Sequence, residues 1–284
     1  MRLPDAARAS GPPSTNILPE CGVAGEAGGL AVGGGSPELP SGGNLELEQL
    51  RGGGVGGKIW RSACMLCLWQ AERAAAHELR GANILELGAG TGASGLYAAA
   101  LGARRVVLTD GEAELVPLLA SNARRNREVF AYGEETEIVT ARWSFGEAPP
   151  AECAVSSEAP FDLVIGSDIT YSVNDDREAL CRTLHLLLST GAAKRCIIAH
   201  EHRRADMFDV EAILRNRPAA TWDENDSCLG IFLAAASEHQ LRVTPLHTQR
   251  GARTLQPPRV GEGHEAVVAM TTDLSVLEVS LAPR

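Results

Sequence analysis

Short apolar runs alternate with longer amphipathic stretches along most of this chain. The runs have the length of buried strands: Asn83–Leu87, Arg105–Thr109, Glu137–Thr140, Phe161–Ile165 and Arg195–Ala199, with two more near Leu241–Leu246 and Glu265–Met270. Between them, apolar spacing of three and four residues predicts helices: Trp60–Leu79, Ala93–Leu101, Glu112–Arg127, Asp175–Leu188, Ala205–Leu214 and Leu229–Glu238. Strands that alternate with helices indicate βαβ units, so we expect an α/β fold with a doubly wound, mainly parallel sheet.

The N-terminal region has a different composition. Residues 1–57 hold 15 of the 30 glycines and 6 of the 15 prolines. We therefore expect residues 1–43 to form a disordered tail and residues 44–284 to form one folded domain. The cluster Gly52–Lys58 fits the start of a phosphate-binding loop, but Ile59 follows without the hydroxyl that such a loop needs, so we interpret it as a flexible linker.

Composition excludes several classes of protein. The net charge of −10 argues against a general nucleic-acid binder, and no apolar run approaches the ~20 residues of a membrane-spanning helix. Seven cysteines, an odd number, indicate reduced thiols, and no secretory signal is visible; we expect a cytoplasmic protein, with the nucleus also open, and a monomer. Cys64 and Cys67 have the spacing of half a zinc site, but no second pair lies nearby, so we expect buried thiols and no metal.

A glycine turn follows the first strand of the alternating region. The run Gly88-Ala89-Gly90-Thr91-Gly92 leads from that strand into a helix, where the backbone must turn tightly and lie close to a ligand. Asp110 ends the next strand and could accept hydrogen bonds from two neighbouring ribose hydroxyls. Ligands of doubly wound sheets bind at the carboxyl ends of the strands, so these residues predict a site for an adenosine-containing ligand.

Two cofactors fit such a site. Residues 90–95 satisfy the dinucleotide pattern G-x-G-x-x-G, which keeps a nicotinamide cofactor open. Against it, Glu86-x-Gly-x-Gly-x-Gly is the arrangement of S-adenosylmethionine sites, and Tyr171 has Asp175 four residues on, where short-chain dehydrogenases have lysine. The sequence therefore favours S-adenosylmethionine.

Four motifs in chain order resemble one family. They are Gly57-Lys58-Ile59-Trp60, the glycine motif that begins at Leu85, Arg142-Trp143, and Asp168-Ile169-Thr170-Tyr171, which matches a D-x-x-Y signature. Together they resemble the seven-β-strand protein-lysine methyltransferases, the methyltransferase-16 family, over about residues 55–272. The resemblance implies a Rossmann-like, seven-stranded, mainly parallel sheet with helices on both faces, the class I methyltransferase fold.

The resemblance also implies roles for individual residues. Asp168 and Tyr171 would face the incoming amine as catalytic residues, and His200-Glu201-His202-Arg203 resembles the family's stretch near the substrate entrance. The cofactor-binding residues would be Trp60, Glu86, Gly88, Ala89, Gly90, Gly92, Asp110, Trp143 and Ser167. Asp168 as a helix cap, and Tyr171, Trp60 and Trp143 as packing residues, remain the structural alternatives.

These predictions lead to a functional hypothesis. We expect methyl transfer from S-adenosylmethionine to a protein side chain, most readily a lysine ε-amine, without a metal. Two alternatives stay open because a fold does not name its substrate: a small-molecule N- or O-methyltransferase, and a non-catalytic interaction module that keeps the cofactor site.

Overall fold

The computed structural model describes residues 15–17, 45–50, 55–75, 78–130, 135–153, 160–171, 176–202, 227–255 and 269–283. Its strands are β1 (Thr15–Ile17), β2 (Glu46–Glu48), β3 (Asn83–Leu87), β4 (Arg105–Asp110), β5 (Glu137–Arg142), β6 (Leu163–Ser167), β7 (Cys196–Glu201), β8 (Leu241–Leu255) and β9 (Ala269–Leu281). Its α-helices are α1 (Arg61–Ala75), α2 (Ala93–Ala100), α3 (Leu115–Arg125), α4 (Asp176–Ser189) and α5 (Ser227–Glu238).

Seven strands form one sheet in the order β5-β4-β3-β6-β7-β9-β8. The first five of these run parallel, and β9 is antiparallel to both β7 and β8. The chain enters this sheet at β3, adds β4 and β5 on one side of it, and then crosses to β6 on the other side of β3. This order confirms the predicted seven-stranded, mainly parallel α/β sheet. It also places the topological switch point, where such sheets bind ligands, between β3 and β6.

Helices cover both faces of the sheet, as predicted. On one face, α1, α2 and α3 bury apolar side chains such as Leu66, Leu96 and Leu119 against the strands. On the other face, α4 and α5 do the same with Leu184 and Phe232. β3, β4, β6 and β7 are nearly continuous apolar runs because each is buried on both sides, whereas β5 is only partly buried. Within the described ranges, no helix has the length and apolar character needed to cross a membrane.

The C-terminal strands depart from the sequence-based prediction. The strands expected near Leu241–Leu246 and Glu265–Met270 are longer or shifted: β8 has 15 residues and β9 extends from Ala269 to Leu281. The pairing of β8 with β9 has two register shifts, between Pro245 and His247 and between Gln249 and Ala252. The predicted helix 205–214 lies outside the described residues.

The N-terminal region has one described strand pair. β1, which falls inside the predicted tail, pairs antiparallel with β2. The other residues of 1–43 lie outside the described part of the chain, so the domain boundary stays a prediction. The predicted first helix begins one residue later than expected, and α1 ends at Ala75. It buries both Cys64 and Cys67, as expected of thiols on an apolar helix.

Candidate active site

A cavity of about 510 Å³ opens at the carboxyl ends of β3, β4 and β6. This volume lies within the range of ~300–1,000 Å³ that is usual for small-molecule sites. Its wall contains nine of the eleven predicted site residues: Trp60, Gly88, Ala89, Gly90, Asp110, Trp143, Ser167, Asp168 and Tyr171. The structure therefore brings together residues from five separate parts of the chain at the switch point.

The first two glycines of the turn, Gly88 and Gly90, both have left-handed backbone and leave no room for a Cβ. Gly88 has φ +60°, and a Cβ there would lie 2.6 Å from the Ile169 side chain. Gly90 has φ +55°, and a Cβ there would lie 2.4 Å from the main-chain oxygen of Gly56. Left-handed backbone costs ~1–2 kcal/mol per residue in other L-amino acids. The turn can thus lie against both the cavity and the backbone of residues 55–57.

Asp110 ends β4 below this turn. Its Oδ2 accepts the Gly90 N–H at 2.9 Å, and its Oδ1 accepts the Glu112 N–H at 3.0 Å. Burial raises the pKa of Asp110, and these backbone N–H bonds act in the opposite direction. Each carboxylate oxygen keeps a second lone pair, so the side chain can still accept hydrogen bonds from a ligand in the cavity.

Glu86 and Gly92 are the two predicted site residues that do not line the cavity. Glu86 is fully buried beneath α2, where its Oε2 accepts the Gly95 N–H at 2.8 Å. Burial raises its pKa from about 4.5 to about 8. Gly92 precedes the first residue of α2 with φ +79°. Both residues shape the turn from strand to helix, whereas their predicted contact with a cofactor stays a prediction.

Two tryptophans stand on the cavity wall. The Trp60 indole N–H donates to the Val55 carbonyl at 2.9 Å, which fixes the ring at the start of α1. Trp143 is buried; its indole N–H donates to the Glu147 carbonyl at 3.1 Å, and its backbone N–H donates to the Asp110 carbonyl at 2.9 Å. With their polar edges bonded to the protein, both rings can offer apolar surface to a flat ligand group.

The D-x-x-Y segment forms the other side of the cavity. Asp168 is buried, with φ +57°, and its backbone N–H donates to the Ala199 carbonyl at 2.7 Å. Aspartate and asparagine adopt this left-handed backbone more easily than most residues do. Tyr171 is 38% exposed at the rim. A buried carboxylate and a phenol at the rim thus share one cavity, as their predicted catalytic role requires.

The D-x-x-Y turn is tied to the strand next to it. Thr170 Oγ1 lies 2.6 Å from Nδ1 of the fully buried His200 on β7. The His200 and His202 rings pack edge to face with their centroids 5.1 Å apart. His202 Nε2 lies 2.7 Å from Ser275 Oγ on β9. His200 therefore holds the D-x-x-Y turn through Thr170, and His202 packs against His200. Arg203 of the same predicted stretch lies outside the described residues.

Sequence reasoning missed one wall of the cavity. The cluster Gly52–Lys58, interpreted as a flexible linker, contributes Val55, Gly56 and Lys58 to the wall, and Ile59, which follows the cluster, lies on the same wall. Val55–Gly57 forms a short 3-10 turn that lies against the glycine turn. The sequence offered one signal, the glycine at position 90, whose missing Cβ leaves room for the Gly56 main-chain oxygen. This close approach joins residues 34 positions apart, which no local pattern reveals.

Comparisons with known proteins identify relatives of this chain. Protein N-lysine methyltransferase METTL21A of Danio rerio is 32% identical over 166 residues, 58% of this chain and 69% of that protein. Histone-arginine methyltransferase METTL23 of Xenopus laevis is 28% identical over 206 residues, 69% of this chain and 82% of that protein. The solved magnesium protoporphyrin IX methyltransferase of Synechocystis PCC 6803 with bound SAH has a TM-score of 0.46 and 16% identity, over 78% of this chain and 83% of its own, a likeness too distant to inform on substrate. Residues 41–210 match the family model described as lysine methyltransferase, and because they make up more than half of the chain, this protein belongs to the lysine methyltransferase family.

Proposed function

We propose that this chain transfers a methyl group from S-adenosylmethionine to the ε-amine of a lysine in a protein substrate, and that the cavity at the switch point is where it does so. Membership of the lysine methyltransferase family makes the reaction an S-adenosylmethionine-dependent N-methylation. The observation that carries the proposal is the cavity itself, which joins the glycine turn, Asp110 and the D-x-x-Y segment.

The residues present fit the donor. Gly88 and Gly90 line the cavity with main chain alone, Asp110 offers acceptors for ribose hydroxyls, and Trp143 offers a ring face for adenine. Ser167, at the end of β6, contributes a hydroxyl on the same wall. When bound, S-adenosylmethionine supplies an electrophilic methyl group on a sulfonium. The chain's own task is to position the two reactants and to exclude water.

Asp168 and Tyr171 are assigned to the acceptor. A lysine ammonium has a pKa of ~10.4 and must first release a proton to solvent water before its neutral nitrogen can attack. The Asp168 carboxylate attracts the ammonium and aligns it, and the Tyr171 hydroxyl at the rim orients the lone pair of the neutral amine. The buried position of Asp168 strengthens such a charge interaction because little water screens it.

Replacement of Asp168 tests this assignment. Asp168→Asn keeps the size of the side chain and tolerates φ +57°, whereas alanine would add backbone strain. We expect turnover to fall by ~10²–10⁴-fold while donor affinity stays near the wild-type value. Loss of donor binding in calorimetry would instead make Asp168 a cofactor or structural residue. Thr170→Ser, which keeps a hydroxyl in the same segment, serves as the matched control.

Radiolabelled donor tests the substrate class. Incubation of the protein with labelled S-adenosylmethionine and cell lysate should label one or a few protein bands. Hydrolysis of those bands should then release methyl-lysine. Methyl-arginine would contradict the lysine assignment, and label confined to small molecules would favour a small-molecule methyltransferase. Donor binding without any label would favour the non-catalytic module.

We also propose that the protein acts in the cytoplasm. The support is chemical: the six cysteines of the described residues are buried thiols. Reduced thiols are usual in the cytosol, where disulfides are rare. Fractionation of cells that express the tagged full-length chain tests the proposal, and recovery of the protein mainly from another compartment would contradict it.

A further inference from the structure

Two asparagines, one helical turn apart, hold the backbone of β2. Asn122 lies in α3, Asn126 directly follows that helix, and both are buried. Asn122 Oδ1 accepts the Glu48 N–H at 2.8 Å, and its Nδ2 donates to the Glu48 carbonyl at 3.1 Å. Asn126 pairs with Glu46 in the same two-bond way, at 2.7 and 2.8 Å. The two amides act on β2 as a neighbouring strand would.

Asn122 makes one contact that Asn126 lacks. Its Nδ2 also donates to the Thr91 carbonyl at 2.9 Å. Thr91 belongs to the glycine turn and lines the cavity. A side-chain amide has two N–H donors and one carbonyl acceptor, so Asn122 uses all of its groups in these contacts. A single buried side chain therefore joins the glycine turn to β2.

β2 continues into the missed wall of the cavity. We call residues 45–50 and 55–60 together the cover segment. Its two parts are bonded to each other: the Ile59 N–H donates to Gln49 Oε1 at 2.8 Å, and the Leu50 N–H donates to the Gly57 carbonyl at 2.9 Å. The second part lines the cavity with all of its residues except Gly57. A displacement of β2 would thus move the cavity wall.

We propose that Asn122 is a positioning residue for the methyl donor, which sets the cover segment and the glycine turn at their correct separation where these two walls of the cavity meet. The proposal rests on the proposed function. Asn122 does not line the cavity, so it acts on donor binding indirectly, by linking the cover segment to the glycine turn. Coupling of this kind is reciprocal, so donor binding must also stabilise the cover segment.

Three variants separate this role from general support of the fold. Asn122→Leu removes all of the contacts of that amide at similar volume. Asn122→Asp keeps an acceptor for the Glu48 N–H but places a carboxylate oxygen against the carbonyls of Glu48 and Thr91. Asn126→Leu is the matched control, because it removes the same kind of two-bond pairing with β2 without touching the glycine turn, although it also removes the Asn126 Nδ2 bond to the Asn122 carbonyl. Urea denaturation checks that each variant folds. If Asn122→Leu does not fold, Asn122→Asp is compared with the wild type and with Asn126→Leu instead.

Calorimetry with S-adenosylhomocysteine and amide hydrogen exchange provide the readouts. We expect both Asn122 variants to weaken binding about tenfold, the loss expected for one or two buried hydrogen bonds, and Asn126→Leu to bind close to wild type. In the wild type, the ligand should slow exchange of the Glu48 amide; in Asn122→Leu it should not.

The possible results distinguish a failure of the role of Asn122 from a failure of the proposed function. Wild-type affinity in both Asn122 variants would overturn the proposal, as would equal weakening in Asn122→Leu and Asn126→Leu, which would show only a general loosening of β2. If the wild type itself binds neither S-adenosylmethionine nor S-adenosylhomocysteine, the proposed function fails. Normal wild-type binding with unchanged variants overturns the role of Asn122 alone.

Discussion

Replacement of Glu86 by glutamine should change how stability depends on pH. Burial raises the pKa of this carboxyl from about 4.5 to about 8 in the folded protein without ligand. Between these two pH values the folded state holds a proton that the unfolded state has released. The free energy of unfolding then falls as pH rises, because a rise in pH favours the state that binds fewer protons, which here is the unfolded state.

The expected slope follows directly from the missing proton. One proton corresponds to about 1.4 kcal/mol per pH unit, so Glu86 alone removes ~4 kcal/mol of stability between pH 5 and pH 8. That is a large part of the ~5–15 kcal/mol that holds a typical domain folded. Glutamine cannot ionise, and its side-chain oxygen can still accept the Gly95 N–H. Glu86→Gln should therefore match the wild type near pH 5 and exceed its stability near pH 8.

Urea denaturation followed by circular dichroism at several pH values measures this difference. Asp162→Asn is the control of opposite sign. Although partial burial opposes the effect, hydrogen bonds from the Asn83 N–H and from Lys194 lower the pKa of Asp162, so its contribution is lost only as the pH falls through the acid range. Equal slopes for the wild type and Glu86→Gln from pH 5 to pH 8 would refute the reasoning and show that Glu86 is ionised at neutral pH.

Three further substitutions test the site. Asp110→Asn should weaken calorimetric binding of S-adenosylhomocysteine by ~10–100-fold, because charge-assisted hydrogen bonds are worth ~1.5–3 kcal/mol each; unchanged affinity would remove Asp110 from the ribose site. Gly90→Ala should abolish detectable binding, whereas Gly102→Ala, with φ +118° but 3.5 Å of clearance and no place on the cavity wall, should lower only the melting temperature. Thr170→Val should destabilise the protein by ~1–3 kcal/mol in urea, since it removes the contact with His200; an unchanged midpoint would contradict a supporting role for that contact.

The parallel half of the sheet was predictable from the sequence, for a physical reason. β3 matches its prediction residue for residue, and β4 extends it by one, because apolar runs buried on both faces end abruptly at a glycine or an aspartate. β8 was underestimated since it is the outermost strand and mixes polar with apolar residues, and β9, which lies beside it, also has polar residues among its apolar ones. Propensity and periodicity define strands of such mixed composition poorly.

The candidate site was predictable where local motifs carry it. Asp110 ends β4, Asp168 directly follows β6 and Tyr171 lies three residues further on, so strand prediction places them at one edge. Glu86 shows the limit of this reasoning, because successive residues of a strand face opposite sides and the motif does not tell which side meets the cavity. The wall at residues 55–59 depends on contacts between distant segments, which composition described only as a glycine-rich linker.

The irregular pairing of β8 has a consequence for how this protein behaves at high concentration. An outermost strand offers its main-chain groups to any extended polypeptide that arrives, and long flat borders of this kind nucleate aggregates. In β8, Pro245 has no N–H to give, and the two shifts in register bend the strand away from the straight geometry that a newcomer would need. This border of the sheet is thereby protected against unwanted strand addition.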